Sequence, residues 1–472
     1  MQTAEERWAQ EEFGHASLGD ARRTARLVRL AQRAAQRPSG CLTKVFSDSA
    51  EREAAYRFAE NRRIGAEALG AAAPVAAFRR AQRDSVVYVP VDGTSLSLPR
   101  TPATAPFGSV GNSASGARGA QVMNALALSA AGVPLGPCGQ VYWVRRRLRR
   151  RPRAHFDGVR QRLGRGRPVR RKETAFWGDT LEQVLAARRA AHSQVRLWFQ
   201  LDRGADFYEL LCALPLLDDW VTLRAAQNRT VLWEDKQLLR QVVRTWPLLG
   251  TYALQVSAGP QRTARTARME VRARRVVLSV KSYASGGAVP VPFTVVWARE
   301  ASPVPAGEKP LDWLLLTTRP GHTFQDARQV IAGYALRWRI EEVHKAWKSL
   351  AEVEKSGAHG LHALALWASV LFSVASRIER LKYLSRTSPD SPASAELTGD
   401  EIRALLVLRA RRAPSSPNYQ PTIAEAVRWI AEQGGYTGKS SGGPPGTITI
   451  GRGLERLQAA TDFLRLLDHE KM

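Results

Sequence analysis

Two short apolar runs, VYVPV and LWFQL, are each followed at once by an aspartate, Asp92 and Asp202. Their β-branched and aromatic residues predict strands, and each polar exit puts a carboxylate where the chain leaves the sheet. In sheets containing parallel strands, side chains at such ends converge on a cleft. The surrounding pattern is α/β. DSVVYVPVDGTSLSL, VMNALALSA and GQVYWVRR read as three successive strands, an antiparallel start. The helical KETAFWGDTLEQVLAARRAAHS, the strand VRLWFQL, the helical ADFYELLCAL and the strand WVTLRAA then alternate.

From Asn228 to about residue 310 the short β segments TYALQVS, RVVLSV and PFTVVWARE follow one another with no long helix, which predicts an all-β insertion. A buried strand, DWLLLTTR, and one long helix, FQDARQVIAGYALRWRIEEVHKAWKSL, come next. At 472 residues the chain exceeds what one core usually holds. We divide it into a separate helical domain over 1–72, an α/β core over 73–380 with its β-rich insertion at 228–310, and a helical C-terminal domain over 381–472. That last domain ends in an amphipathic helix, LERLQAATDFLRLLDHE, whose leucines suit a partner helix.

Hydrophobic residues at 44% and charged residues at 24% exclude a disordered or fibrous chain. The sign of the charge is unusual. Lys+Arg 70 against Asp+Glu 43 gives a net +27, which calls for a polyanionic partner, and nucleic acid is the first choice. Between Arg145 and Lys172 stand fourteen Lys or Arg and one acid, Asp157. With glycines and prolines but no apolar period, this segment reads as a loop that tracks phosphates. After Asp20, an N-cap, Arg22, Arg26, Arg29, Arg33 and Arg37 form a stripe on an amphipathic helix, opposite Leu27, Val28, Ala31 and Ala35. QRTARTARMEVRARRVV reads as a basic β-ribbon. Cys41, Cys138 and Cys212 are scattered and suggest neither a disulfide framework nor a zinc site. The N-terminus lacks an apolar signal segment, and LHALALWASVLFSVAS reads as a buried helix, so a cytoplasmic location is expected.

Within the long helix, Tyr334, Arg337, Glu341 and Lys348 fall within an arc of about 60°, taking about 100° per residue. One face would then present a phenol, a guanidinium, a carboxylate and an ammonium. Taken alone, an Arg337–Glu341 pair is what many surface helices carry. Taken with Asp92 and Asp202, the three carboxylates form a set able to hold two divalent ions for displacement at phosphorus. Oxygen ligands favour magnesium, with manganese as a substitute. Asp206 reads as the N-cap of ADFYELL and not as a catalytic residue.

YALRWRIEEVHKAWK fits the signature Y-x-x-R-x-x-x-E-x-x-x-x-x-x-K. Together with VDGTS, LDRGAD, LGDARRTARLVRLA, EAAYRFAEN, DWLLLTTRP and GYTGKSSGGPPGT, in that family's order over about residues 7–468, it resembles the DDE transposases of the insertion-sequence-four family. The resemblance implies an RNase H-like core that carries Asp92, Asp202 and Glu341 as catalytic and metal-binding acids with two magnesium ions. It also implies DNA contacts by Tyr334, Arg337 and Lys348, recognition of transposon ends by Arg22, Arg23 and Arg26, and a homodimer on double-stranded DNA. Cut-and-paste transposition is the implied activity. Trp313 reads equally as a base-stacking residue or a core tryptophan. Glu342, rotated by about 100° from Glu341, should point away. Gly93 stands where relatives frequently have threonine. Two rival readings remain: a DNA-binding inhibitor that does not cut, and a nuclease on the same fold.

Overall fold

The computed structural model describes residues 4–101, 104–111, 116–145, 172–232, 237–259, 262–282, 287–410, 419–439 and 443–469. The basic segment expected as a phosphate-tracking loop lies, from 146 to 171, outside the described residues. Helices α1 (Ala4–Phe13), α2 (Ala21–Gln36), α3 (Leu42–Val45), α4 (Ser49–Glu60) and α5 (Ala66–Arg80) come first. Asp20 caps α2 by accepting from the Arg22 backbone N–H, and the helix buries Leu27, Leu30, Ala31, Ala34 and Ala35.

Strands β1 (Val86–Leu98), β2 (Gly108–Ser109), β3 (Arg118–Leu128) and β4 (Pro134–Trp143) form the expected antiparallel start. Helix α6 (Ala175–Ala190) leads to β5 (Arg196–Leu201), and α7 (Tyr208–Ala213) leads to β6 (Trp220–Arg224). β5 runs parallel to β1, and β6 runs parallel to β5. The order is therefore β4-β3-β1-β5-β6, with helices on both faces.

Residues 228–310 do not stand apart as an all-β insertion. They supply β7 (Thr230–Val231), α8 (Leu239–Val242), β8 (Gly250–Val256), β9 (Arg265–Lys281) and β10 (Ala288–Glu300). β10 pairs with β11 (Asp312–Thr317), which pairs with β6, so one mixed sheet counts eleven strands among the described residues. β9 explains the continuity. It buries Ala267, Met269 and Val271 toward one core, then Val276, Leu278 and Val280 toward the other. A strand covered on opposite faces along its length belongs to the interior sheet rather than to a satellite.

The single long helix expected over 324–350 is two, α9 (Phe324–Ala335) and α10 (Trp338–Ser349). At the joint the N–H groups of Leu336, Arg337 and Arg339 donate three residues back, at 3.1, 3.0 and 3.0 Å. Such a tightened turn is a frequent helix interruption. Packing sets its place: α9 approaches β1 so closely at Gly333 that a Cβ there would lie 2.6 Å from the Tyr88 ring.

Helices α11 (Leu361–Thr387), α12 (Gly399–Ala410), α13 (Ile423–Gln433) and α14 (Thr447–His469) complete the chain. By length and composition α11 is apolar enough to cross a membrane, yet 89% of its most apolar window is buried. The expected divisions at 72 and 380 both fall inside helices, α5 and α11. The N-terminal helices pack against the rest of the chain. Their apolar faces share one core with α10, α11 and α13. Polar bonds reinforce it: the Trp367 indole N–H donates to the Gly40 carbonyl at 3.0 Å, and Arg377 donates to Glu5 at 3.2 Å.

Candidate active site

Asp92 is not at a strand end. β1 continues to Leu98 in its hairpin with β3, but its parallel partner β5 stops opposite Val91, at Leu201. The sheet therefore opens at Asp92, and Asp202 follows the last residue of β5. The Asp202 side chain accepts from the Gly204 N–H at 2.6 Å. α10 crosses this opening and brings Glu341 to it. The Gly93 Cβ position lies 3.5 Å from Met123 Cε, an ordinary contact, so a side chain fits there.

Arg337, at the joint between α9 and α10, stands 3.7 Å from Asp92 Oδ1 and pairs with Glu341. Burial, with the nearby charges of Asp202 and Glu341, lifts the Asp92 carboxyl to about 7 against the pull of Arg337. The three acids thus share one electrostatic neighbourhood. Among the described residues, however, no three His, Cys, Asp or Glu side chains stand close enough together to hold a metal ion. Arg337 lies between Asp92 and Glu341 and supplies a counter-charge to carboxylates that otherwise repel. In chemistry the donor set still fits a hard divalent ion: carboxylate oxygens, one of them on a group strained by its own charge.

That strain has a measurable consequence. The folded-state pKa of Asp92, about 7, lies above its ordinary 3.8, so the folded protein binds this proton more tightly than the unfolded chain. The group's contribution to stability therefore falls as pH rises from about 4 to 7, and the full penalty stands above that. Asp92→Asn is expected to stabilise the metal-free protein at pH 8 by on the order of 2 kcal/mol. Melting in EDTA at pH 8 and at pH 5 checks this, with the gain shrinking at pH 5. An unchanged or lower melting temperature at pH 8 contradicts it.

The remaining signature residues separate. Lys348 donates to Thr94 Oγ1 and to the Ser95 carbonyl, both at 2.8 Å, and so braces β1 just past Asp92. Tyr334 is buried at the edge of Trp313, with ring centroids 6.1 Å apart, and its phenol stays beside Arg337. Burial raises its phenol pKa, opposed by Arg337 and Arg224. Glu342 points away from the acids and toward α11, where it accepts from Tyr383, from Arg339 at 3.2 Å and from Lys382 at 3.3 Å. Beside the acids lies a cleft of about 620 Å³ whose wall includes Arg203, Arg224, Arg299, Trp313, Tyr334 and Arg337. Trp313 is half-buried at this wall.

On α2, Arg22 pairs with Asp20, Arg23, beside the stripe, donates to the Leu18 carbonyl at 2.9 Å, and Arg26 is half-buried. Arg29 and Arg33 find an acid partner that the stripe itself lacks, Glu51 of α4. Asp206 does not cap α7, whose N-cap is Phe207. It is buried with Arg229 and accepts from the N–H groups of Ala226 and Gln227 at 2.6 and 2.8 Å.

Residues 5–64 match the family described as transposase DNA-binding, and residues 373–466 match the transposase Tn5 dimerisation domain. Both matched segments carry transposase descriptions, the second of the Tn5 type. The first holds α1 to α4 and the arginine stripe. The second begins within α11 and ends in α14, which exposes Phe463 and Leu466.

Sequence reasoning missed Arg203 and Arg224 in the cleft, and missed His344 with Asn124 and Gln140 behind Asp92. Two signals were present. His344 lies one turn beyond Glu341, and Asn124 is the polar residue in the otherwise apolar VMNALAL.

Proposed function

We propose that the chain cuts and joins DNA in cut-and-paste transposition, by divalent-metal-dependent phosphoryl transfer on an RNase H-like core. The observation that carries this reading is the electrostatic coupling of Asp92 with Asp202 and Glu341 at the opening of the sheet, between Tn5-like DNA-binding and dimerisation ends. The strand order β4-β3-β1-β5-β6, three antiparallel and two parallel, supports the RNase H-like assignment.

Asp92, Asp202 and Glu341 would hold magnesium or manganese, which supplies Lewis acidity to phosphate oxygens when bound. Arg337 turns from bridging carboxylates to pairing with the scissile phosphate, and the cationic cleft wall holds the flanking backbone. Trp313 offers an aromatic face to an unstacked base. Water attacks phosphorus at the transposon end, and the strand's 3′-oxygen leaves with a proton. The freed 3′-hydroxyl then attacks a target phosphate, giving up its proton, while the target strand's own 3′-oxygen leaves that phosphorus and takes up a proton. Arg22, Arg23 and Arg26 take part in end recognition, and two copies bring two ends together through Phe463 and Leu466 of α14.

Labelled ends, magnesium and a target plasmid test this with the full-length protein. Strand-transfer products are expected. Nicks without joining favour a nuclease. A stable complex without cleavage favours a non-cutting inhibitor.

A further inference from the structure

Gln140, Asn124 and Asp92 stand directly opposite one another on β4, β3 and β1. Along these strands the face they share is mostly apolar, the Thr94 and Tyr142 hydroxyls apart: Leu96 and Leu98 on β1 and Val122, Leu126 and Leu128 on β3 belong to the core that includes α10 and α11. Asn124 is fully buried. A polar row across a core face costs free energy unless its groups are bonded, and such local departures from pattern concentrate where function requires them.

The row has a direction. Gln140 Nε2 donates to Asn124 Oδ1 at 2.8 Å and to the Tyr142 hydroxyl at 3.2 Å. Asn124 therefore turns its amide nitrogen to His344 Nε2, 2.9 Å away on α10. An amide nitrogen only donates, so His344 Nε2 accepts, and the proton of the neutral imidazole sits on Nδ1. Nδ1 is the atom that faces Asp92, 3.9 Å from Oδ2, while Arg337 approaches Oδ1 from the other side. The ring is held by Trp347 and Phe372, with centroids 6.4 and 6.0 Å away.

We propose that His344 is a positioning residue for Asp92: its Nδ1–H, fixed as a donor by Asn124 and Gln140, orients the carboxylate from behind. This rests on the phosphoryl-transfer reading, which gives Asp92 its reactive role. Carboxylates that bind metals are themselves held by hydrogen-bond donors of this kind. A modest rotation of the carboxyl group brings the 3.9 Å separation into hydrogen-bond range.

The first test needs no substitution. ¹⁵N resonances of the imidazoles in the metal-free, full-length protein should show His344 as the Nδ1–H tautomer, and an Nε2–H tautomer overturns the proposal. The second compares three variants. Asn at this position carries its amide nitrogen near the place of Nδ1, whereas Gln carries it near Nε2. His344→Gln and His344→Ala should lose about 10–100-fold in Mn²⁺ affinity and in kcat for end cleavage, with end-binding affinity unchanged. His344→Asn should recover most of that loss. A packing role alone gives the reverse ranking, because Gln fills more of the space than Asn. Melting curves and end binding establish that each variant is folded. If Glu341→Gln is inactive while His344→Gln and His344→Ala cut and bind Mn²⁺ as the parent does, the proposal alone falls. If the parent neither cuts nor binds Mn²⁺, the phosphoryl-transfer reading falls and takes this inference with it.

Discussion

Glu341→Gln should cut transposon ends at least about 10³-fold more slowly than the parent while binding them equally well. The substitution keeps the length and hydrogen-bonding shape of the side chain, and an amide oxygen can still accept from Arg337, so the helix and its joint are undisturbed. What disappears is one of the two negative charges that act on Asp92, and one of the three carboxylates that would hold the divalent ion. Glu342→Gln is the matching control. Its carboxylate is engaged by Tyr383, Arg339 and Lys382 on the side of α10 away from Asp92, so cleavage should persist at close to the parental rate. Gel shifts and single-turnover cleavage on labelled ends separate the two. Undiminished cutting by Glu341→Gln would remove this residue from the chemistry.

The second large effect is on stability. Asp206→Ala should destabilise the protein by about 3–5 kcal/mol, read from urea unfolding. Asp206 and Arg229 are both buried, and deleting the acid leaves a guanidinium in a low-dielectric interior without its counter-charge. It also removes the acceptor for the N–H groups of Ala226 and Gln227 at the exit of β6. The double replacement Asp206→Leu with Arg229→Met should cost less than Asp206→Ala alone, since it removes both charges together. An Asp206→Ala protein as stable as the parent would mean that water reaches the pair.

Local pattern made much of this architecture readable. The strands around Asp92 and Asp202 and the helices between them follow from period and β-branching, because both faces of that sheet are buried. The arginine stripe was visible because α2 has one apolar face. What was hidden is non-local. Nothing within GYALRW marks the break between α9 and α10, which depends on how Gly333 meets Tyr88 of β1. The face switch in β9 depends on which helices cover each half of the strand. Asp206 looks like a helix cap because Asp before a helical run usually is one, but the buried charge of Arg229, 23 residues on, draws it away. In the candidate site, Asp202 could be chosen from a strand end and Arg337 and Glu341 from helix spacing, whereas the run of β1 past Asp92 and His344 behind that acid emerge only when three strands and a helix are brought together.

The core shared by the first and last helices also bears on how the chain is made. Leu27, Leu30 and Ala34 of α2 share a core with α1 and with α11, and roughly 300 residues lie between α2 and α11. At about 5–20 residues per second, a ribosome needs on the order of 15–60 s to cross that distance. For that interval the earliest helices wait with the part of their apolar surface that meets α11 uncovered, so the protein's sensitivity to chaperones and to growth temperature should rest in part on its amino terminus.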